Sequence, residues 1–214
     1  MKKLFLALVL MMPLMVVAKG PVDAKYLQGG IPEENGIIVF RKSFSVPNMQ
    51  KDQIFTTLNN FVENNVLAPA IHELRTRILS DGKEDGIIVA KVEEYMTFSH
   101  KFLSLDRTRF IYQLQAQVEG NKVKLAISQV SYYYNEDMDG KNGETFKGEE
   151  WITDSKALNK KGTKLLPHSG KFRIKTIDRV EEIFESCMDA FEMKVNAPAT
   201  ETPAKKVRQG IVED

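Results

Sequence analysis

The sequence predicts an α+β domain of order β-α-β-β-β-β-α, an antiparallel sheet with two helices packed on one of its faces. Three observations predict it. Apolar and polar residues alternate over most of residues 75–134, the period-two signature of half-buried strands. Two segments, near residues 50–62 and 173–193, instead place apolar residues three and four apart, the stripe of an amphipathic helix. Short turn sequences separate the later strands, so each reaches its neighbour through a hairpin, which favours an antiparallel sheet with helices on one side.

Each element has its own signal. Ile38, Phe40, Phe44 and Val46 alternate onto one face of a first strand, Ile37 to Val46, interrupted at Lys42 and ended by Pro47. Asn48 is an N-cap candidate for a helix whose stripe is Ile54, Phe55, Leu58, Phe61 and Val62, with Pro69 at its exit. A polar turn at residues 81–86 separates a strand from Arg75 to Ser80 from a longer one, Ile87 to Ser99. Arg107 to Val118 follows, with Phe110, Tyr112, Leu114, Ala116 and Val118 on one side and Gln113, Gln115 and Gln117 on the other. After Glu119-Gly120-Asn121, the last strand carries Val123, Leu125 and Ile127 on one parity but Val130, Tyr132 and Tyr134 on the other. A β-bulge near Ser128 reconciles the two halves. The final helix, Arg173 to Met193, puts Ile177, Val180, Ile183, Phe184, Cys187 and Phe191 on one stripe. The sheet face turned away from the helices would carry Lys91, Glu93, Tyr95, the three glutamines and Lys124, a mixed polar set rather than a basic one.

The ends of the chain read differently. Lys2 and Lys3 precede a 14-residue apolar stretch from Leu4 to Val17, and Ala18 supplies a small residue before a cut. That stretch contains Pro13 and is shorter than the ~20 residues a membrane-spanning helix needs. Residues 1–18 are therefore expected to be a signal peptide, with no transmembrane segment after its removal, and the protein to be exported to a periplasmic or extracellular location. Residues 19–35 read as a flexible lead-in, 36–193 as a single domain and 194–214 as a disordered tail. Without Lys2 and Lys3 the chain has 28 basic and 29 acidic side chains, a balance that argues against nucleic acid as a partner. A lone cysteine, Cys187, excludes an internal disulfide.

Leu103-Ser104-Leu105-Asp106-Arg107-Thr108-Arg109 enters a strand, and Glu149-Glu150-Trp151-Ile152-Thr153-Asp154 is followed by Ala157-Leu158-Asn159-Lys160. With the opening Gly36-Ile37-Ile38-Val39-Phe40, these strings resemble a family of exported bacterial domains of unknown function with a fold like the TATA-binding protein (TBP-like). The resemblance implies the strand, helix, four-strand, helix order behind a signal peptide in a Gram-negative bacterium. It implies no activity and no catalytic residues, and fold alone does not make the domain a DNA reader.

Catalytic and cofactor motifs are absent from the sequence. Asn135, Asp137 and Asp139, followed by Gly140, resemble the start of a calcium loop, but the twelfth position is Phe146 where a glutamate is required, so an acidic turn is expected and no metal. His72, His100 and His168 have no partner at a zinc spacing. Cys187 lies on an apolar stripe and is expected to be inert. Asp106, Arg107 and Arg109 form a candidate contact cluster, since arginine forks recognise carboxylate or phosphate, with a salt bridge at a strand entrance as the plainer reading. Trp151 either covers the core edge or lines a pocket. The sequence thus points to a noncatalytic binding or protein-interaction module of the bacterial envelope, its partner an envelope protein or a small ligand. Its contact surface would be the polar sheet face or the connection 135–170. Two other readings stand beside it: a carrier holding a small apolar ligand between helices and sheet, and a hydrolase built on Glu149, Glu150, Asp154 or His168.

Overall fold

The computed structural model describes residues 21–70, 76–101, 104–136 and 142–195. The expected signal peptide, the tail beyond residue 195, His72, Asp137 and Asp139 lie outside them. The fold is the α+β arrangement the alternation predicts. Its main sheet is six-stranded and antiparallel: β3 (Phe40–Ser45), β7 (Lys122–Tyr134), β6 (Ser104–Glu119), β5 (Ile87–Lys101) and β4 (Arg77–Gly82) in that spatial order, with β8 (Glu144–Lys147) beside the second half of β7. A small ribbon of β1 (Glu33–Glu34) and β2 (Ile37–Ile38) precedes it.

Helices α1 (Lys51–Phe61) and α4 (Ser169–Val195) lie on one face. The stripe residues of both are buried, Ile54, Leu58, Ile177 and Cys187 among them, against Ile88, Val92, Phe110, Leu114 and Ile127 of the strands. Each such side chain contributes roughly 1.5–3 kcal/mol of transfer free energy, so the shared stripe is what fixes both helices to this face. Rings fill the space between α4 and the sheet: Tyr132 and Phe172 at 5.0 Å, Phe98 and Phe172 at 4.5 Å, Phe110 and Tyr112 at 4.8 Å. This is the gap in which a carrier would hold its ligand, and aromatic side chains occupy it.

The bulge is where the parity slip puts it. Ile111 pairs with Ser131 and Gln113 with Ser128, so Gln129 and Val130 together face Tyr112, and Gln129 has φ of 53°. The extra residue returns Val130, Tyr132 and Tyr134 to the core side.

Several boundaries differ from the sequence reading, and the first strand, expected from Ile37 to Val46, is split at Val39 into β2 and β3, which belong to different sheets. Asn48 does not cap α1: it sits at φ of 64° in the turn after Pro47. The cap is Gln50, whose N–H donates to Gln53 Oε1 at 3.1 Å. The connection 135–170 contains β8 and two single-turn helices, α2 (Gly148–Trp151) and α3 (Asp154–Ala157), which at four residues each are too short to show a period. Residues 21–31, placed by the sequence outside the domain, pack on it. A 3-10 turn, Ala24–Tyr26, is tied to α4 by Lys25 Nζ to Asp178 (2.9 Å) and Glu181 (2.7 Å) and by Tyr26 OH to Asp178 (2.6 Å), and Ile31 is buried. Arg173, fully buried, holds the junction. It donates to the carbonyls of Tyr26 (2.7 Å), Ile152 (2.8 Å) and Leu27 and to Asp154 Oδ1 (2.7 Å).

Candidate binding face

Alternation along β6 sends its candidate contact residues to opposite sides. Asp106 points to the helix side, where Lys171 Nζ donates to its Oδ2 at 2.6 Å and Tyr134 OH to its Oδ1 at 2.8 Å. Lys171 also donates to Tyr134 OH at 2.8 Å and lies 4.4 Å from the centre of the Phe98 ring. Burial works to lower the Lys171 pKa, but these two partners prevail and raise it. Burial raises that of Tyr134. Asp106 is therefore part of a bonded knot that fixes the strand entrance to the first turn of α4.

Arg107 and Arg109 stand on the other side, which we call the outer face. Arg107 lies over the Tyr95 ring, 3.9 Å from its centre. Arg109 bridges two carboxylates, Glu93 on β5 at 3.3 Å and Glu136 at the end of β7, and its guanidinium is 5.3 Å from the Tyr133 ring. The bond to Glu136 raises the Arg109 pKa and keeps it charged. Glu93 is the unexpected member: although on the wetter side, its side chain is only 4% exposed. Three buried polar atoms of this group, Glu93 Oε2, Glu136 Oε1 and Arg109 Nε, make no hydrogen bond within the protein. Glu93 was legible in the sequence as an outward residue, but its burial depends on what β6 and β7 bring beside it.

Strand register assembles the rest of the outer face. Arg41, Ala126 and Gln115 form one cross-strand row, Ser43, Lys124 and Gln117 the next, and together they line a shallow concavity of about 390 Å³. A further row crosses β4, β5, β6 and β7 as Arg77, Lys91, Gln113 and Ser128. Lys147 of β8 stands opposite Ser131. Pairing across strands adds Arg41, Arg77, Arg107, Arg109 and Lys147 to the mixed polar set read from the sequence, and although Glu34, Glu93, Glu119 and Glu136 neutralise part of that charge, the face carries a surplus of cations.

The remaining candidates hold the structure together. Trp151 stacks on Phe146 (4.4 Å between ring centres) and meets Phe172 edge-on (5.7 Å), so it covers the core edge, with its indole Nε1 buried and unpartnered. Glu149 accepts the Ile38 N–H at 2.9 Å, and Asp154 accepts from the Gly29 N–H and Arg173. Burial pushes the Cys187 thiol up to about 12. Among the described residues no three histidine, cysteine or acidic side chains come together as a metal group. Asn135, the one described member of the calcium candidate, has φ of 66° at the end of β7. A second cleft, about 330 Å³, lies between β5 and α4. Its floor is the two-pronged pair of Arg179 with Glu94 (2.9 and 3.0 Å), braced by Glu182 at 2.9 Å, so its central charges are already matched.

An antiparallel sheet with its helices gathered on one side and a bare polar face on the other defines this as a protein of TBP-like fold. Residues 40–133 match the family described as a domain of unknown function (DUF4468) with TBP-like fold. A crystal structure of a DUF4468 family protein from Bacteroides ovatus is 33% identical, with a TM-score of 0.72 over 85% of this chain and 99% of that one. The chain belongs to the DUF4468 family. A TBP-like protein from Parabacteroides distasonis, 20% identical, shares the fold with a TM-score of 0.63, over 78% of this chain and 99% of its own. No curated protein matches the chain.

Proposed function

We propose that this protein is an exported, noncatalytic binding module of the cell envelope that engages its partner through the outer face of the sheet. One observation carries the reading. Strands of 13–16 residues bury most of one face beneath α1 and α4, while the opposite face lies outside the helices and presents amide, hydroxyl and cationic groups across the strands. Sheets of this kind bury one side to fold and leave the other to solvent or to a partner. Two of the carboxylates that a hydrolase would use, Glu149 and Asp154, are engaged with backbone N–H groups and Arg173, and the third, Glu150, is exposed, which favours the noncatalytic reading. The amino-terminal sequence supports export, and the intact mass of the protein recovered from an envelope fraction should correspond to a chain beginning at Lys19.

The test is retention of envelope components by the immobilised protein. Gln115→Trp places a bulky ring in the centre of the outer face without changing charge; Glu185→Trp places one on the exposed side of α4. Components held by the parent protein and by Glu185→Trp, and released by Gln115→Trp, support the reading. Retention equal for all three proteins, or none above an empty resin across salt concentrations, overturns it.

A further inference from the structure

We propose that the partner of the outer face is an acidic polysaccharide lying across the strands along the row Arg77, Lys91, Gln113 and Ser128 toward Lys147. The inference rests on the outer face being the binding surface and adds the chemistry of what binds there.

The register supplies the first argument. Arg77 and Lys91 are direct cross-strand partners on the same face. Like charges in that position repel and weaken the pairing. Three other cations of the face have carboxylates: Arg41 is bonded to Glu34, Arg109 to Glu93 and Glu136, and Lys124 to Glu119. Among the described residues, no carboxylate forms an ion pair with Arg77, Lys91 or Lys147. An anion placed over the row converts this repulsion into two favourable contacts, and arginine supplies a fork suited to a carboxylate or sulfate.

The order of side chains along the row supplies the second argument. Two cations are followed by an amide, Gln113, and a hydroxyl, Ser128, and then by Lys147 one row further on. With strands about 4.8 Å apart, the line from β4 to β8 is about 19 Å long. Charges separated by neutral hydrogen-bonding groups match a chain whose acidic groups are separated by hydroxyls. A single-stranded nucleic acid needs aromatic platforms for its bases, and Tyr95 and Tyr133 lie away from this row beneath Arg107 and Arg109. Protein interfaces are anchored by buried aromatic and arginine side chains near their centre; the centre of this face presents Gln113, Gln115, Ala126 and Ser128, with the half-buried aliphatic side chains of Val89 and Ile111 and no aromatic ring among them.

The experiment is titration of the whole protein with polygalacturonate and dextran sulfate at 50 mM salt. Neutral dextran, oligo(dT) and polyglutamate are the comparison polymers. The variants are Arg77→Glu/Lys91→Glu on the row and Lys175→Glu on the exposed side of α4, each checked by circular dichroism and thermal melting for an intact fold. The expected result is binding to at least one acidic polysaccharide, about tenfold or more weaker in the row variant and unchanged in Lys175→Glu. It should weaken steeply as salt rises, because neutralised anions release counterions. Three outcomes overturn the inference: no affinity for either acidic polysaccharide, equal affinity for neutral dextran, or tighter binding of oligo(dT) or polyglutamate. Loss of envelope retention in Gln115→Trp together with full retention in the row variant would leave the binding face standing and remove its acidic ligand.

Discussion

Replacing Arg173 by methionine should lower the melting temperature by roughly 8–16 °C. The side chain is fully buried and joins three segments distant in sequence: residues 26–27, the turn at 152–154 and α4. Methionine keeps much of the packing and removes every donor. The carbonyls of Tyr26, Leu27 and Ile152 then lose a buried charged donor, at about 1 kcal/mol each as a conservative net value. Asp154, 35% exposed, is partly rescued by water and adds up to about 1 kcal/mol. The sum is about 4 kcal/mol, and a domain of this size shifts by about 2–4 °C per kcal/mol. Differential scanning calorimetry measures the shift, and hydrogen exchange should show the largest gain in opening at the Gln28 and Gly29 amides, which bond to Gly162 and Asp154. Arg173→Lys should recover only part of the loss, since one ammonium cannot reach the positions of a planar fork. A shift below about 3 °C for Arg173→Met would refute the reasoning and mean that the lead-in is held by its surface ion pairs alone.

Other expectations follow from single geometric facts. Gln129 holds a left-handed conformation at the bulge, so Gln129→Gly should stabilise the protein by roughly 1 kcal/mol and Gln129→Val should destabilise it by more, both read from urea midpoints. Gly86 combines φ of 70° with a Cβ position 2.9 Å from the Val118 carbonyl oxygen, and Gly86→Ala should cost about 1–3 kcal/mol in the same assay. The Cys187 thiol, raised by burial to about 12, should react with a disulfide reagent only on unfolding. Below the unfolded thiol pKa of about 8.5 its ionisation does not affect stability; between there and 12 the unfolded chain ionises first. Stability should therefore fall by up to about 1.4 kcal/mol per pH unit from this one group, and Cys187→Ala should flatten the profile just above pH 9, before the tyrosines ionise.

The parts legible in the sequence are those whose signal is periodic and local. The buried stripes of α1 and α4, the core parity of β5 and β6 and the bulge at Gln129 were each readable because a side chain's direction repeats every 3.6 or two residues. The same rule separates Asp106 from Arg107 and Arg109, although their proximity in sequence suggested one cluster. The boundaries that moved lacked such a period. Asn48 was a sound cap by residue type, but the turn after Pro47 uses it at positive φ. The lead-in has no periodic pattern, and its order comes from Arg173 and Asp178, 147 and 153 residues from the groups they bond.

By itself the sequence determined the fold class, because burial patterns are written one residue at a time, and the strings at 36–40, 103–109 and 149–160 carried the resemblance to the family. Only the tertiary structure decided the character of the outer face. Charge is counted along a chain but felt across strands: Arg77 and Lys91 sit on the two arms of one hairpin and Lys147 lies 56 residues beyond, and their shared face exists only once β4, β5 and β8 take their places in register. The burial of Glu93 has the same origin, since Arg109 reaches it from the neighbouring strand β6 and is itself held by Glu136.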